Sequence, residues 1–105
     1  MRPLPALIGE RLNQVLELCS RHRVRRLELF GSAARDGFNP SSSDLDFLVE
    51  FQEIPPGERA KAYFGLLQDL GTLFGRRIDL VMPSAIRNPF FRESIRADRT
   101  LLYAA

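Results

Sequence analysis

Three aspartates stand where strand-forming sequence does not favour them. Asp44 and Asp46 open the run "DLDFLVEF", and Asp79 sits inside "RRIDLVMP". Both runs alternate apolar and polar residues with period two, the pattern of a strand with one buried face. Aspartate is depleted in strands, and like charges on one face repel. Side chains two residues apart on a strand stand roughly 6.6 Å apart on the same face. At that spacing Asp44 and Asp46 can bracket a hard cation such as Mg2+, which takes carboxylates, waters and substrate phosphates as ligands. If the Asp79 strand lies beside theirs, a third carboxylate joins. Such a cluster can hold two ions roughly 3.5–4 Å apart and clamp an in-line phosphoryl displacement. Without a cation, three clustered carboxylates would repel and one would take up a proton. The pattern therefore predicts a cation.

A second element precedes the first two aspartates. "VRRLELF" reads as a strand that ends at Gly31-Ser32. Glycine lets the backbone approach a phosphate closely, and Ser32, opening a helical turn, offers a hydroxyl beside unpaired backbone N–H groups. Arg35 lies one turn further on. Alone, a Gly-Ser step after a strand is usually just a turn, and Asp79 alone is a surface charge. The order of strand, Gly-Ser turn, loop, paired aspartates and a third aspartate on a matching face points instead to a triphosphate-and-metal site.

The elements that must position these residues follow from periodicity. Pro5 to about His22 predicts an amphipathic helix with Ile8, Leu12, Val15, Leu16 and Cys19 on one face. "SAARD" predicts a short helical segment and "DGFNPSSS" a loop. In "DLDFLVEF", Leu45, Phe47, Val49 and Phe51 point one way, and Asp44, Asp46, Leu48 and Glu50 the other. A helix is expected from about Glu58 to Phe74, with Tyr63, Phe64, Leu67, Leu70 and Phe74 on its apolar face and Gly75 ending it. "RRIDLVMP" predicts a third strand, with Ile78, Leu80 and Met82 opposite Asp79. A last helix around Phe90 to Ala97 and a short edge strand, "TLLYA", complete the order. The expectation is an α/β fold, a small mixed sheet with helices packed on one face, forming a single domain over residues 1–105.

Composition narrows the class. Apolar residues at 45% and charged residues at 27% exclude a disordered tail. No run approaches the roughly 18 apolar residues of a membrane span, and the N-terminus turns polar too early for a signal peptide. A lone cysteine, Cys19, excludes an intramolecular disulfide, so a cytoplasmic protein is expected. The net charge of +2 leaves a nucleic-acid partner open without favouring it. Of the fifteen lysines and arginines all but Lys61 are arginine, whose planar fork suits phosphate, although a general preference for arginine explains the usage more simply. Arg92, Arg96 and Arg99 share one face if their segment is helical, as a solvated face or a docking surface. Cys19, Phe90 and Phe91 read as core, and His22 as a basic residue suited to a helix end.

"GSAAR" followed by "SDLDFLV" resembles the G-S-x-A-R … S-D-x-D-x-x-V signature of minimal nucleotidyltransferases, small members of the DNA polymerase β-like superfamily. "RRIDLVMP" is similar to that family's later strand with a third metal-binding aspartate, and "AIRNPFFRESIRADRTLLYA" to its usual ending. The resemblance implies the polymerase β-like fold. It implies that Asp44, Asp46 and Asp79 bind two Mg2+ ions and carry catalysis, and that Gly31, Ser32, Arg35 and Ser43 bind the nucleotide. Where a family glycine often follows the arginine, Asp36 precedes Gly37 here. The implied reaction transfers NMP from an NTP, usually ATP, to a hydroxyl and releases pyrophosphate. Many such short proteins are antitoxins whose partner, a helical HEPN-type ribonuclease, receives AMP on a tyrosine. Two other readings stay open: a binding module that neutralises its partner by occlusion, and an enzyme acting on RNA or a small molecule. A chain this short has little room for an acceptor-holding domain, which favours an acceptor delivered by a protein partner.

Overall fold

A computed structural model describes residues 6–31, 45–83 and 99–105. Within them lie helices α1 (Ala6–Gly9), α2 (Leu12–Arg21) and α3 (Pro56–Phe74), and strands β1 (Val24–Phe30), β2 (Leu45–Phe51), β3 (Ile78–Val81) and β4 (Thr100–Ala104). The strands form one mixed sheet in the order β3-β2-β1-β4. β1 runs antiparallel to both β2 and β4, whereas β2 and β3 are parallel. A parallel pair needs a crossover connection, and α3 supplies it.

One sheet face is dry because every second strand residue is apolar. Leu27 and Leu29 of β1, Leu45, Phe47 and Val49 of β2, and Ile78 and Leu80 of β3 form one cluster with Ile8, Val15, Leu18 and Cys19 from the first two helices and Leu66, Leu70 and Phe74 from α3. Each fully buried large apolar side chain in it contributes roughly 1.5–3 kcal/mol. Phe47 and Phe74 stack with ring centroids 6.2 Å apart. Tyr63 donates its hydroxyl hydrogen to the Leu80 carbonyl at 2.5 Å, tying α3 to β3. α3 ends where Gly75 takes φ +64°, a left-handed conformation that suits glycine, and its N–H bonds back to Gly71 at 2.8 Å.

The expected mixed α/β architecture, the strand faces, the Gly75 stop and the edge position of "TLLYA" all match. Three details differ. The first helix is two pieces, α1 and α2, separated at Glu10 and Arg11. Gly9, a poor helix residue, stands at the break. Leu18 is buried while Leu12 and Leu16 are only half-buried. On α3, Phe64 is 65% exposed and Leu66 is fully buried. The buried stripe follows Leu66, Leu70 and Phe74, and Phe64 falls on the outer side of the helix, edge-on to Tyr63. The expected helices at "SAARD" and around Phe90 to Ala97 lie outside the described residues.

Candidate active site

The face of the sheet opposite the helical layer carries the polar alternates. β2 offers Asp46, Leu48 and Glu50, and β3 offers Asp79 and Val81. Asp46 pairs with Asp79 across the parallel ladder, and with Phe30 across the antiparallel one. Neighbouring strands lie roughly 4.8 Å apart and paired side chains share a face, so the two carboxylates stand side by side. The Asp79 side chain is 43% exposed, and the Arg77 Nε atom lies 3.8 Å from its Oδ1.

Gly31 follows Phe30 directly and so turns off beside Asp46. Its φ is +74°, a conformation that costs a side-chain-bearing residue roughly 1–2 kcal/mol. Space is as restrictive as the backbone. A Cβ built at Gly31 would run into Asp46 Oδ2 and stand 3.1 Å from Asp46 Cγ. The cradle between turn and carboxylate is therefore one that a single methyl group fills. Under it, Phe30 and Leu48 are buried and packed with Val81, giving the polar row an apolar floor.

The sequence-predicted residues divide cleanly. Gly31, Asp46 and Asp79 come together in one corner of the sheet. Ser32, Arg35, Ser43 and Asp44 lie outside the described residues, as do Arg92, Arg96, Phe90 and Phe91. Among the described residues no group of three metal-ligating side chains forms. The pair that does form offers hard carboxylate oxygens beside Gly31, and this donor set fits Mg2+. Asp44, adjoining Leu45, is the sequence's candidate for a third donor.

Other residues find different uses. Cys19 is fully buried, and burial pushes its thiol up to about 12. His22 caps α2 and also reaches α3, where its Nε2 lies 2.6 Å from Asp69 Oδ2. The sequence reading missed Glu28, whose side chain is 8% exposed on the same face as Asp46 and is held by Arg26 and Arg99. Its signal was available: an acid in mid-strand between Leu27 and Leu29 breaks the same local rule as Asp46. A cavity of about 230 Å3 lined by Arg25, Glu50, Arg59 and Pro83, among others, lies toward the other end of β2 and contains none of the predicted residues. No helix among the described residues is long and apolar enough to cross a membrane.

Residues 12–102 match the nucleotidyltransferase domain family. A relative from Thermococcus cleftensis, protein adenylyltransferase MntA, is 38% identical over 76% of this chain and 77% of its own. A solved structure of a candidate minimal nucleotidyltransferase is 33% identical with a TM-score of 0.64, covering 89% of this chain and 90% of that one. An MNT antitoxin in complex with the tri-AMPylated HEPN toxin of Shewanella oneidensis shares the fold at 17% identity, with a TM-score of 0.63 over 92% of this chain and 72% of that one. The chain belongs to the nucleotidyltransferase family, with the polymerase β-like fold of its minimal members.

Proposed function

We propose that this protein transfers AMP from ATP to a hydroxyl acceptor, a tyrosine of a partner HEPN-type toxin, and thereby acts as an antitoxin in the cytoplasm. The observation that carries the reading is the pairing of Asp46 with Asp79 beside the Gly31 turn. Carboxylates that suit hard cations, beside a glycine that lets the backbone approach a phosphate closely, support this reading. The adenylyltransferase name of a relative 38% identical supports the choice of AMP, and the fold shared with an MNT antitoxin bound to a HEPN toxin supports the partner.

In this reading residues 1–105 act as a single domain. Asp44, Asp46 and Asp79 hold two Mg2+ ions, while Gly31, Ser32, Arg35 and Ser43 bind the nucleotide. Bound Mg2+ supplies charge neutralisation of the phosphates and lowers the pKa of the acceptor hydroxyl. The acceptor oxygen attacks the α-phosphorus and gives its proton to the Asp79 carboxylate, the bond from the α-phosphorus to the bridging oxygen breaks, and pyrophosphate leaves with that oxygen. The chain's own contribution is positioning: the Gly31 turn fixes the phosphates and Asp79 faces the attacking oxygen.

ATP labelled at the α- or the γ-phosphate, incubated with Mg2+ and a lysate of the source cell, tests this. Transfer of α-label alone to one protein band, lost in Asp46→Asn, is the expected result. Transfer of γ-label would mean phosphoryl transfer and overturn the mechanism. Neutralisation of the partner by Asp46→Asn at wild-type strength would favour occlusion without catalysis.

A further inference from the structure

Glu28 is a charged side chain buried on the face that carries Asp46 and Asp79, one strand over from Asp46. Its Oε1 accepts a hydrogen bond from Arg26 Nε at 2.9 Å, and its Oε2 lies 3.3 Å from Arg99 Nε. A buried carboxylate is costly unless paired, and here two guanidinium groups more than neutralise it. Both arginines dock through Nε. The two arginine side chains remain 44% and 41% exposed. A buried acid thus holds two half-exposed guanidinium groups, whose planar forks suit a phosphate.

The position of Arg99 decides which phosphate. Arg99 precedes Thr100, the partner of Leu29, so it stands beside the end of β1. There Phe30 pairs with Asp46 and the chain turns off at Gly31. We infer that Arg99, fixed by Glu28, binds the terminal phosphates of the nucleoside triphosphate on the flank of the Gly31 turn away from Asp46. Arg26 adds positive charge behind it. The inference rests on the reading that the Gly31 turn holds the nucleotide phosphates, and it adds a binding residue that the motif does not contain. The β- and γ-phosphates are the part that departs as pyrophosphate, so a guanidinium there favours triphosphate over monophosphate. It also stabilises the charge that develops as the bond to the β-phosphate oxygen breaks.

Titration calorimetry with tripolyphosphate and with AMP, both with Mg2+, tests the inference on the wild type, Arg99→Gln, Arg99→Lys and Glu28→Gln. Arg99→Gln is expected to weaken tripolyphosphate binding roughly 10–100-fold, the value of one or two charge-assisted hydrogen bonds, and to leave AMP affinity unchanged. Arg99→Lys recovers part of the loss. Glu28→Gln weakens tripolyphosphate several-fold, because Arg99 is no longer held. If Arg99→Gln binds tripolyphosphate like the wild type while its melting temperature falls, the trio is only a brace between β1 and β4 and the inference is wrong. Wild-type protein that binds neither tripolyphosphate nor ATP overturns the phosphate reading of the Gly31 turn, and this inference with it.

Discussion

Asp46 and Asp79 face each other across a parallel ladder, and Gly31 closes so tightly on Asp46 that no side chain fits between them. Two like charges at adjacent ladder positions repel, and Arg77, 3.8 Å from Asp79, offsets part of that charge within the chain. Replacing Asp79 with Asn should separate stability from function. The stability of the metal-free protein should change by less than about 1 kcal/mol, because relief of the cross-strand repulsion is set against loss of the Arg77 ion pair, while nucleotidyl transfer falls roughly 10^2–10^3-fold for lost charge stabilisation. Urea melts with EDTA and with Mg2+ read the first effect. Mg2+ should raise the midpoint of the wild type more than that of Asp79→Asn, which keeps Asp44 and Asp46. Equal Mg2+ stabilisation of both proteins would place the cation elsewhere.

Gly31 and Gly75 form a matched pair of probes. Both adopt positive φ, +74° and +64°, but a Cβ at Gly75 meets nothing within 4 Å, whereas one at Gly31 strikes the Asp46 carboxylate. Gly75→Ala should cost about 1 kcal/mol of backbone strain and leave activity intact. Gly31→Ala should cost about 1–3 kcal/mol and abolish transfer, because Asp46 must move to admit the methyl group. Denaturant titration and labelled-nucleotide transfer on the two variants isolate the steric part. Full activity in Gly31→Ala would remove the turn from the site.

Much of this was legible in the sequence because strand alternation is a local signal. Leu45, Phe47 and Val49 against Asp46 and Glu50 fix the faces of β2 without knowledge of its neighbours. The ladder partners are another matter. That Asp46 meets Asp79 depends on α3 returning the chain parallel to β2, and periodicity alone leaves strand order open. The misses have the same origin. Phe64 and Leu66 are both apolar helix residues, and only the placement of α3 on the sheet buries the second and exposes the first. Glu28 was passed over because its partner Arg99 is remote in sequence and joins it through the β1–β4 pairing. Ser32, Arg35, Ser43 and Asp44 lie outside the described residues and rest on the motif alone.

Cys19 gives a pH-dependent readout of the core. Burial raises its thiol from the ordinary 9.0 to about 12, so the folded state holds this proton more tightly than the unfolded chain does. The stability it contributes is fully present below about pH 9 and is lost as pH rises toward 12. Native protein at pH 8.5 should resist iodoacetamide and react promptly once unfolded in urea, since the thiolate is the nucleophile. Cys19→Ala should flatten the alkaline decline in stability between those pH values. Rapid alkylation of the native state would mean that the α2 face is not packed as described.

The contact between α2 and α3 yields a coupling of predictable sign. His22 Nε2 lies 2.6 Å from Asp69 Oδ2, and its ring rests on Gly65. A Cβ at Gly65 would come within 2.8 Å of His22 Cε1 and 3.0 Å of Nδ1, closer than ordinary contact. In an open helix position Gly→Ala stabilises by about 1 kcal/mol. Here that gain should vanish or reverse, because the methyl group pushes His22 off Asp69. His22→Ala alone should cost about 1–2 kcal/mol for the lost hydrogen bond. Adding Gly65→Ala to His22→Ala should then stabilise by roughly 0.5–1 kcal/mol, since the obstacle is gone and only helix propensity remains. Urea denaturation of the four proteins in the cycle measures this. A Gly65→Ala effect identical in both backgrounds would show that His22 does not lie on α3.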